Sequence, residues 1–375
     1  MMQFHIDPTH RNGATGIGRA LAIVLLTAFV ALALPAGPAL SQQQQPGVAE
    51  SPTEGNVPGR SLGNTSDSEF WRAIRQGEAG LVSIPDQQAA VLIQSEGESW
   101  RSIRNGPVSV YGVWVIMGMI ILLALFFAIR GRITIEHGES GELIRRFNSV
   151  ERFAHWLTAA SFIVLALTGL NMLYGRYFLP AIIGPEAFHV ILSAGRHMHH
   201  YLAFAFMAGL ALEFVLWVRH NIPNRLDLIW LAKGGGLFTK GVHPSSRKFN
   251  AGQKFFFWVT ILGGISLSMS GWALLYPFTT SFFADTFAVL NLVGFNLPTD
   301  LSPMQEQQLS QLWHASVSMV MIALMLSHIY IGSLGMQGAF SAMGSGWVDV
   351  NWAKEHHDLW VAEEKAKAAQ QAPAE

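Results

Sequence analysis

Five apolar stretches in the sequence are long enough to cross a membrane. A hydrocarbon core of about 30 Å requires about 20 helical residues, and five stretches reach that length: 110–129, 153–173, 198–218, 255–277 and 312–334. Lipid offers no hydrogen-bond partner to an unpaired backbone amide, so these stretches must be helical. The pattern therefore predicts an all-α integral membrane protein with five transmembrane helices in the mature chain.

The amino-terminal region has the pattern of a secretory signal peptide. Arg11 and Arg19 precede an uncharged stretch at 20–34, and Ala39-Leu40-Ser41 forms a small-x-small cleavage site. This predicts a signal peptide at 1–41; the alternative is an anchor helix that is not cleaved. Both interpretations export the polar segment 42–107, which lacks a clear period or motif and is predicted to be partly disordered.

Basic residues in the loops predict how the helices are oriented. Five arginines follow the first stretch and seven Lys or Arg residues follow the third, whereas 278–310 contains neither residue type. Basic loops stay in the cytoplasm. The segment before the first helix is therefore predicted to lie outside and the polar tail, 341–375, inside, which agrees with the export signal.

Composition narrows the possible chemistry. Charged residues make up 13% of the chain and hydrophobic residues 50%, and the net charge of −1 excludes a globally basic nucleic-acid-binding protein. The sequence contains no cysteine. This excludes disulfides, cysteine-ligated iron–sulfur clusters, c-type haem attachment and a thiol nucleophile from this chain. A bound metal would need His, Met or oxygen ligands, and 14 histidines are present.

Four histidines recur near the ends of the apolar stretches: His155, His199, His314 and His328. Ionisable residues at membrane depth are functional candidates because they are costly in lipid. His314 and His328 are fourteen positions apart, so on one helix they lie about 21 Å apart and point within about 40° of each other. Matching depths pair His155 with His328 and His199 with His314, as two bis-histidine sites for b-type haem.

Other assignments remain open from spacing alone. His197 and His200 compete with His199, because only one of these side chains can face a common partner. Zinc is disfavoured, since no His-Glu-x-x-His motif occurs. The remaining histidines are predicted to be solvated or at the surface, including His356 and His357 of the tail.

Several segments resemble the gamma subunit, the cytochrome b556 membrane subunit, of bacterial respiratory formate dehydrogenase. The resemblance runs from about residue 146 to about residue 367. It is carried by FAHW at 153–156, GRHMH at 195–199, RHNIPN at 219–224, KFNAGQK at 248–254, the His314/His328 spacing and WAKEHH at 352–357.

The resemblance implies specific roles for individual residues. His155 and His328 would ligate a haem near the cytoplasmic side, and His199 and His314 a haem near the outer side. A quinone site beside the inner haem would include Asn250, Gly252 and Gln253; without the family, a helix start capped by Asn250 is the simpler interpretation. The chain would lie in the bacterial inner membrane and receive electrons from a periplasmic iron–sulfur beta subunit, whose own source is a molybdenum- or tungsten-containing catalytic alpha subunit. It would carry these electrons through the two haems to quinone near the cytoplasmic side.

The resemblance also predicts the domain boundaries of the chain. A four-helix dihaem cytochrome b domain is expected at 146–340, and the signal peptide, the exported segment 42–107 and a helix at 108–131 are additions to it. Two alternatives stay open. The chain could serve another respiratory dehydrogenase, such as a nickel–iron hydrogenase, or it could be a haem-free membrane anchor or transporter with structural histidines.

Overall fold

The structure is a computed structural model and describes residues 97–371. The predicted signal peptide, nearly all of the predicted exported segment and residues 372–375 lie outside the described part. Within it, five helices are long and apolar enough to cross a membrane. The prediction of an all-α protein with five transmembrane helices is confirmed for this part of the chain.

The described part of the chain is predominantly helical. The elements in chain order are α1 Gly97–Ile103, α2 Ser109–Arg130, β1 Leu143–Arg145, α3 Ser149–Tyr174, α4 Leu179–Ile183, α5 Pro185–Trp217, α6 Arg225–Ala232, α7 Ala251–Leu275, α8 Phe282–Asn291, α9 Pro303–Tyr330, α10 Ser341–Gly344, β2 Trp347–Asp349 and α11 Val350–Gln371. A π-helical turn, Arg104–Val108, joins α1 to α2. The five spanning helices contain α2, α3, α5, α7 and α9.

Side-chain caps fix where several helices begin. In α7 the Asn250 side chain accepts from the backbone N–H of Gln253, and the Gln253 side chain accepts from that of Asn250. Asn148 with Glu151 forms the same capping box at α3. Ser302 and Gln305 form it at α9. Each box satisfies amides that the first helical turn leaves unpaired.

Small residues let the spanning helices pack closely. A Cβ on Gly209 of α5 would lie 2.4 Å from the Thr158 Oγ1 atom of α3. Gly264 of α7 similarly faces Leu210 of α5. Close backbone approach is how helices associate where lipid removes the hydrophobic driving force.

Helix α2, the predicted addition to the bundle, packs against α9. A Cβ on Gly112 would collide with the side chain of Met319. Tyr174, at the end of α3, donates a hydrogen bond of 2.7 Å to the Ser109 carbonyl. Helix α2 is therefore part of the folded bundle rather than a separate anchor.

Polar segments form a folded layer, here termed the cap, at one end of the bundle. It comprises residues 131–148, 218–250 and 336–371. Strands β1 and β2 pair antiparallel inside it, and the Phe147, Trp217 and Phe249 rings pack together where it meets the helices. Helices α2, α5 and α9 end at the cap, whereas α3 and α7 begin there.

Two details differ from the sequence-based expectations. The helix carrying His199 begins at Pro185 rather than near 198, because Gly184-Pro185 starts it well before the apolar stretch. The tail is not merely a surface segment, since α11 packs into the cap. His357 was expected at the surface, but its side chain is only 1% exposed. Aromatic neighbours and Arg146 cover it, and sequence periodicity did not reveal them.

Candidate paired-histidine centres and cap cavity

The four histidines singled out from the sequence lie in two pairs. The ring centroids of His155 and His328 are 6.2 Å apart, and so are those of His199 and His314. His155 and His328 lie at the cap end and form the cap pair. His199 and His314 form the distal pair, about 21 Å away by the helical rise of α9. The structure therefore brings together the side chains that were matched by depth.

Hydroxyl groups orient both imidazoles of the distal pair. Thr168 Oγ1 lies 2.9 Å from His199 Nδ1, and Ser270 Oγ lies 2.9 Å from His314 Nδ1. Each hydroxyl also donates to a carbonyl of its own helix. A hydroxyl has one hydrogen, so it accepts from the imidazole Nδ1–H. Both Nε2 atoms are then left with a lone pair for a metal.

A glycine follows each of these hydroxyl residues. A Cβ on Gly169 would lie 3.4 Å from His199 Cε1, and one on Gly271 would lie 3.3 Å from His314 Cε1. Thr168-Gly169 of α3 and Ser270-Gly271 of α7 thus hold the two rings in matching ways. The sequence reasoning missed both dipeptides. A hydroxyl residue followed by glycine in the middle of an apolar stretch was the available signal.

The cap pair has a different environment. The His155 Nδ1 atom is buried and has no hydrogen-bond partner within the described chain. The His155 ring contacts the Trp156 ring edge-on, and the His328 ring lies 5.2 Å from that of Phe256. No hydroxyl fixes the tautomer of His155, so aromatic packing orients this ring.

Both pairs fit a metal-containing group that would be held between two imidazole nitrogens. Metal–imidazole bonds are about 2.0–2.1 Å long, and two of them with half a ring on either side give a centroid separation of about 6 Å. Among residues 97–371 no three His, Cys, Asp or Glu side chains form a metal-binding group. Two imidazoles without a third protein ligand would suit the iron of a haem, to which the porphyrin would supply the remaining ligands.

A cavity of about 750 Å³, here termed the cap cavity, lies between the cap and the helices. Its walls include His155 and His328 together with Asn250, Gly252 and Gln253. The five residues that the resemblance assigned to the inner haem and the quinone therefore border one space. A cavity of this size accommodates a small organic ligand.

Asn250, Gly252 and Gln253 also have local structural roles. The side-chain oxygens of Asn250 and Gln253 form the capping box of α7. A Cβ on Gly252 would lie 2.9 Å from the Trp230 ring, so glycine permits this indole to pack beside α7. The side-chain oxygens of Asn250 and Gln253 therefore cap the start of α7, as the simpler interpretation predicted. The side-chain NH2 groups are not used by the capping box.

The structure shows which of the three neighbouring histidines, His197, His199 or His200, faces the partner histidine. His197 Nδ1 lies 2.8 Å from the Ser193 carbonyl of its own helix, and both His197 and His200 are exposed. His199 alone of the three faces His314, which is the choice that the resemblance implied.

This fold and these paired histidines define an all-α membrane cytochrome b. The family model of prokaryotic cytochrome b561 matches residues 146–346, and the chain belongs to this family.

The curated relatives of this chain are also cytochrome b proteins. The chain is 28% identical over 223 residues to the Escherichia coli K12 protein named formate dehydrogenase, cytochrome b556(fdo) subunit, covering 59% of this chain and 93% of the relative. It is 28% identical over 230 residues to the nitrate-inducible formate dehydrogenase cytochrome b556(Fdn) subunit of the same organism, covering 60% and 94%. It is 26% identical over 226 residues to the Haemophilus influenzae formate dehydrogenase cytochrome b556 subunit, covering 59% and 83%.

Proposed function

We propose that this chain is the membrane cytochrome b subunit of a respiratory formate dehydrogenase and that it binds two b-type haems. The observation that carries the proposal is the pair of facing imidazoles at each of two depths, both anchored on α9. The names of the relatives supply the formate donor. His155 and His328 would hold one iron, His199 and His314 the other, and each iron would supply one-electron redox chemistry.

Formate oxidation itself belongs to other chains in this proposal. The sequence contains no cysteine to hold iron–sulfur clusters. The proposed partners are an iron–sulfur beta subunit and a molybdenum- or tungsten-containing alpha subunit. The distal pair would be the point at which electrons arrive.

The proposed orientation places the cap in the cytoplasm and the distal pair toward the periplasm. Basic residues of the cap support it by the positive-inside rule. A quinone would be reduced in the cap cavity, beside His328 and the beginning of α7. Moving electrons from the periplasmic side to a quinone protonated from the cytoplasm would separate charge across the membrane.

An optical difference spectrum tests the proposal. Membranes that contain the chain with its native partners are expected to show a b-type band after addition of formate. This formate-driven band should vanish in a His199→Ala strain, because electrons would arrive at the distal pair. Reduction by dithionite but not by formate would assign the chain to another dehydrogenase, such as a hydrogenase. The absence of a b-type band with either reductant would show that the pairs do not bind haem and would leave a haem-free anchor.

A Gln253→Glu variant distinguishes the proposed role of Gln253 in quinone binding from its role in capping α7. Glutamate keeps the oxygen that accepts from the Asn250 N–H but loses the NH2 donor that would bond a quinone carbonyl. We expect the quinone KM to rise about tenfold, the effect of one lost hydrogen bond of about 1.4 kcal/mol. Steady-state reduction of a soluble quinone measures it.

A matched control exists at the opposite end of the bundle. Gln305→Glu makes the same change at the same position of the α9 capping box and should leave the quinone KM unchanged. An unchanged KM in Gln253→Glu would place the quinone away from this side chain.

A further inference from the structure

Three titratable side chains on separate segments of the cap line one side of the cap cavity. They are Glu136 after α2, His243 before α7 and His356 of α11, and all three border the same cavity as His328 and Gln253. None of them belongs to a histidine pair or to the capping box of α7. Their role is therefore not explained by haem or quinone binding.

These three groups form a chain of contacts that leads inward from solvent. Glu136 Oε2 lies 3.1 Å from His243 Nε2, and their side chains are 36% and 29% exposed. The His243 ring lies 6.1 Å from that of His356, a separation that one water molecule can bridge. His356 is more enclosed, and its ring packs at a tilt against the Trp352 ring, with 5.1 Å between the ring centroids.

The neighbouring His357 is not part of this series of contacts, because both of its ring nitrogens already have partners. Its Nε2 atom lies 2.9 Å from Arg146 Nη2, and its Nδ1 atom lies 2.8 Å from the Arg247 carbonyl. A guanidinium only donates, so Nε2 accepts and Nδ1 carries the proton. His357 is thus fixed as a neutral side chain that cannot pass a proton on.

Charged and titratable groups from several segments lie near His356. Burial lowers the pKa of His356 to about 4; Glu355 raises it, whereas His243 and Arg146 lower it further. Glu136 faces the chain through His243, and Arg130, Arg132 and Lys240 also line the cavity. His356 is therefore neutral at rest, with a nitrogen lone pair able to accept a proton when negative charge develops in the cavity.

We propose that Glu136, His243 and His356 form a proton-uptake path from the cytoplasm to the cap cavity. This inference rests on the proposed function. Reduction of a quinone to its quinol consumes two electrons and two protons. Formate supplies the electrons as it is oxidised to carbon dioxide and a proton at another site. The protons added to the two quinone oxygens would come from cytoplasmic water and pass along these three side chains.

The test uses the complete membrane-bound enzyme with a His356→Gln variant. Glutamine keeps hydrogen-bonding groups but cannot accept a proton at neutral pH. We expect formate-dependent quinone reduction to slow at least about tenfold, consistent with the loss of a proton-transfer group. The rate of haem reduction by formate without added quinone should be unchanged, because it needs no proton at the cavity.

Two further readouts distinguish proton transfer from structural damage. The slowed reaction should show a larger solvent deuterium isotope effect than the wild type, and imidazole added to the buffer should restore part of the rate. His243→Gln and Glu136→Gln should act in the same direction. His189→Gln, an exposed position on α5, provides the matched control and should behave as the wild type.

The outcomes separate this inference from the proposed function. If formate fails to reduce the haems of the wild type, the proposed function is wrong. If the wild type reduces quinone and His356→Gln does so at the same rate with the same isotope effect, the path is wrong. A slow variant that imidazole does not restore, with a normal isotope effect, would make His356 a packing residue and also overturn the path.

Discussion

Replacing His314 by alanine is expected to remove the distal haem and leave the cap-side haem in place. The proposed haem there would lose one of the two imidazoles that would hold it, and Ser270 would lose the imidazole that it orients. Because the two pairs lie about 21 Å apart along α9, the cap pair should be unaffected. Haem extraction from the purified subunit should therefore show about half of the wild-type content, and formate-dependent quinone reduction should cease.

The reciprocal variant completes the experiment. His328→Ala should likewise halve the haem content but remove the other component of a potentiometric titration. His189→Ala, at an exposed position, should retain the wild-type content. Full haem content in His314→Ala would disprove the proposed pairing, and loss of all haem with intact folding would show that the two sites are not independent.

Acidification is expected to release α11 from the cap. Burial lowers the pKa of His356 to about 4, and burial followed by the charge of Arg146 lowers that of His357 well below its usual value. Both side chains would titrate near 6.5 once α11 is detached. Detached α11 therefore binds more protons below pH 6.5, and the docked state loses stability as the pH falls from 6.5 toward 4.

The size of the effect follows from the shift. At pH 5, protonation of His356 in the detached state costs the docked state about 2 kcal/mol, or about thirtyfold in population. His357 adds to this in the same direction. Limited proteolysis of the purified protein between pH 7.5 and 5 should show increasing cleavage at the carboxyl-terminal helix while the spanning helices stay intact.

A double variant provides the control for this pH dependence. With both His356 and His357 changed to glutamine, neither position titrates, and cleavage should depend much less on pH. His189→Gln should retain the wild-type profile. Wild-type cleavage that does not change between pH 7.5 and 5 would contradict the buried, neutral state of both histidines.

The membrane part of the fold could be predicted from sequence because lipid imposes strict conditions. Apolar length predicted the five spanning helices, and the helical repeat predicted that His314 and His328 share one face of α9. The structure confirms the spans and brings the histidines together in the expected pairs. Haem ligation and quinone binding at these residues stay predictions.

The cap could not be predicted in the same way. Its contacts join segments far apart in sequence, such as Arg146 with the Trp352 and Trp360 rings. Arg146 is only 3% exposed, and burial lowers its pKa to about 9, so it remains charged at neutral pH. A charged residue in a polar loop is normally exposed to solvent, and only tertiary packing reveals that the Phe147, Trp352 and Trp360 rings enclose this one.

Helix α9 makes the distance between the two pairs independent of the surrounding lipid. His314 and His328 lie on one continuous helix, Pro303–Tyr330, whose backbone hydrogen bonds fix their axial separation. A thinner or thicker bilayer changes the tilt of a spanning helix at a cost of only fractions of a kcal/mol per Å, but it does not stretch the helix. Changes in lipid chain length should therefore alter how the bundle sits in the membrane without altering the spacing of its two centres.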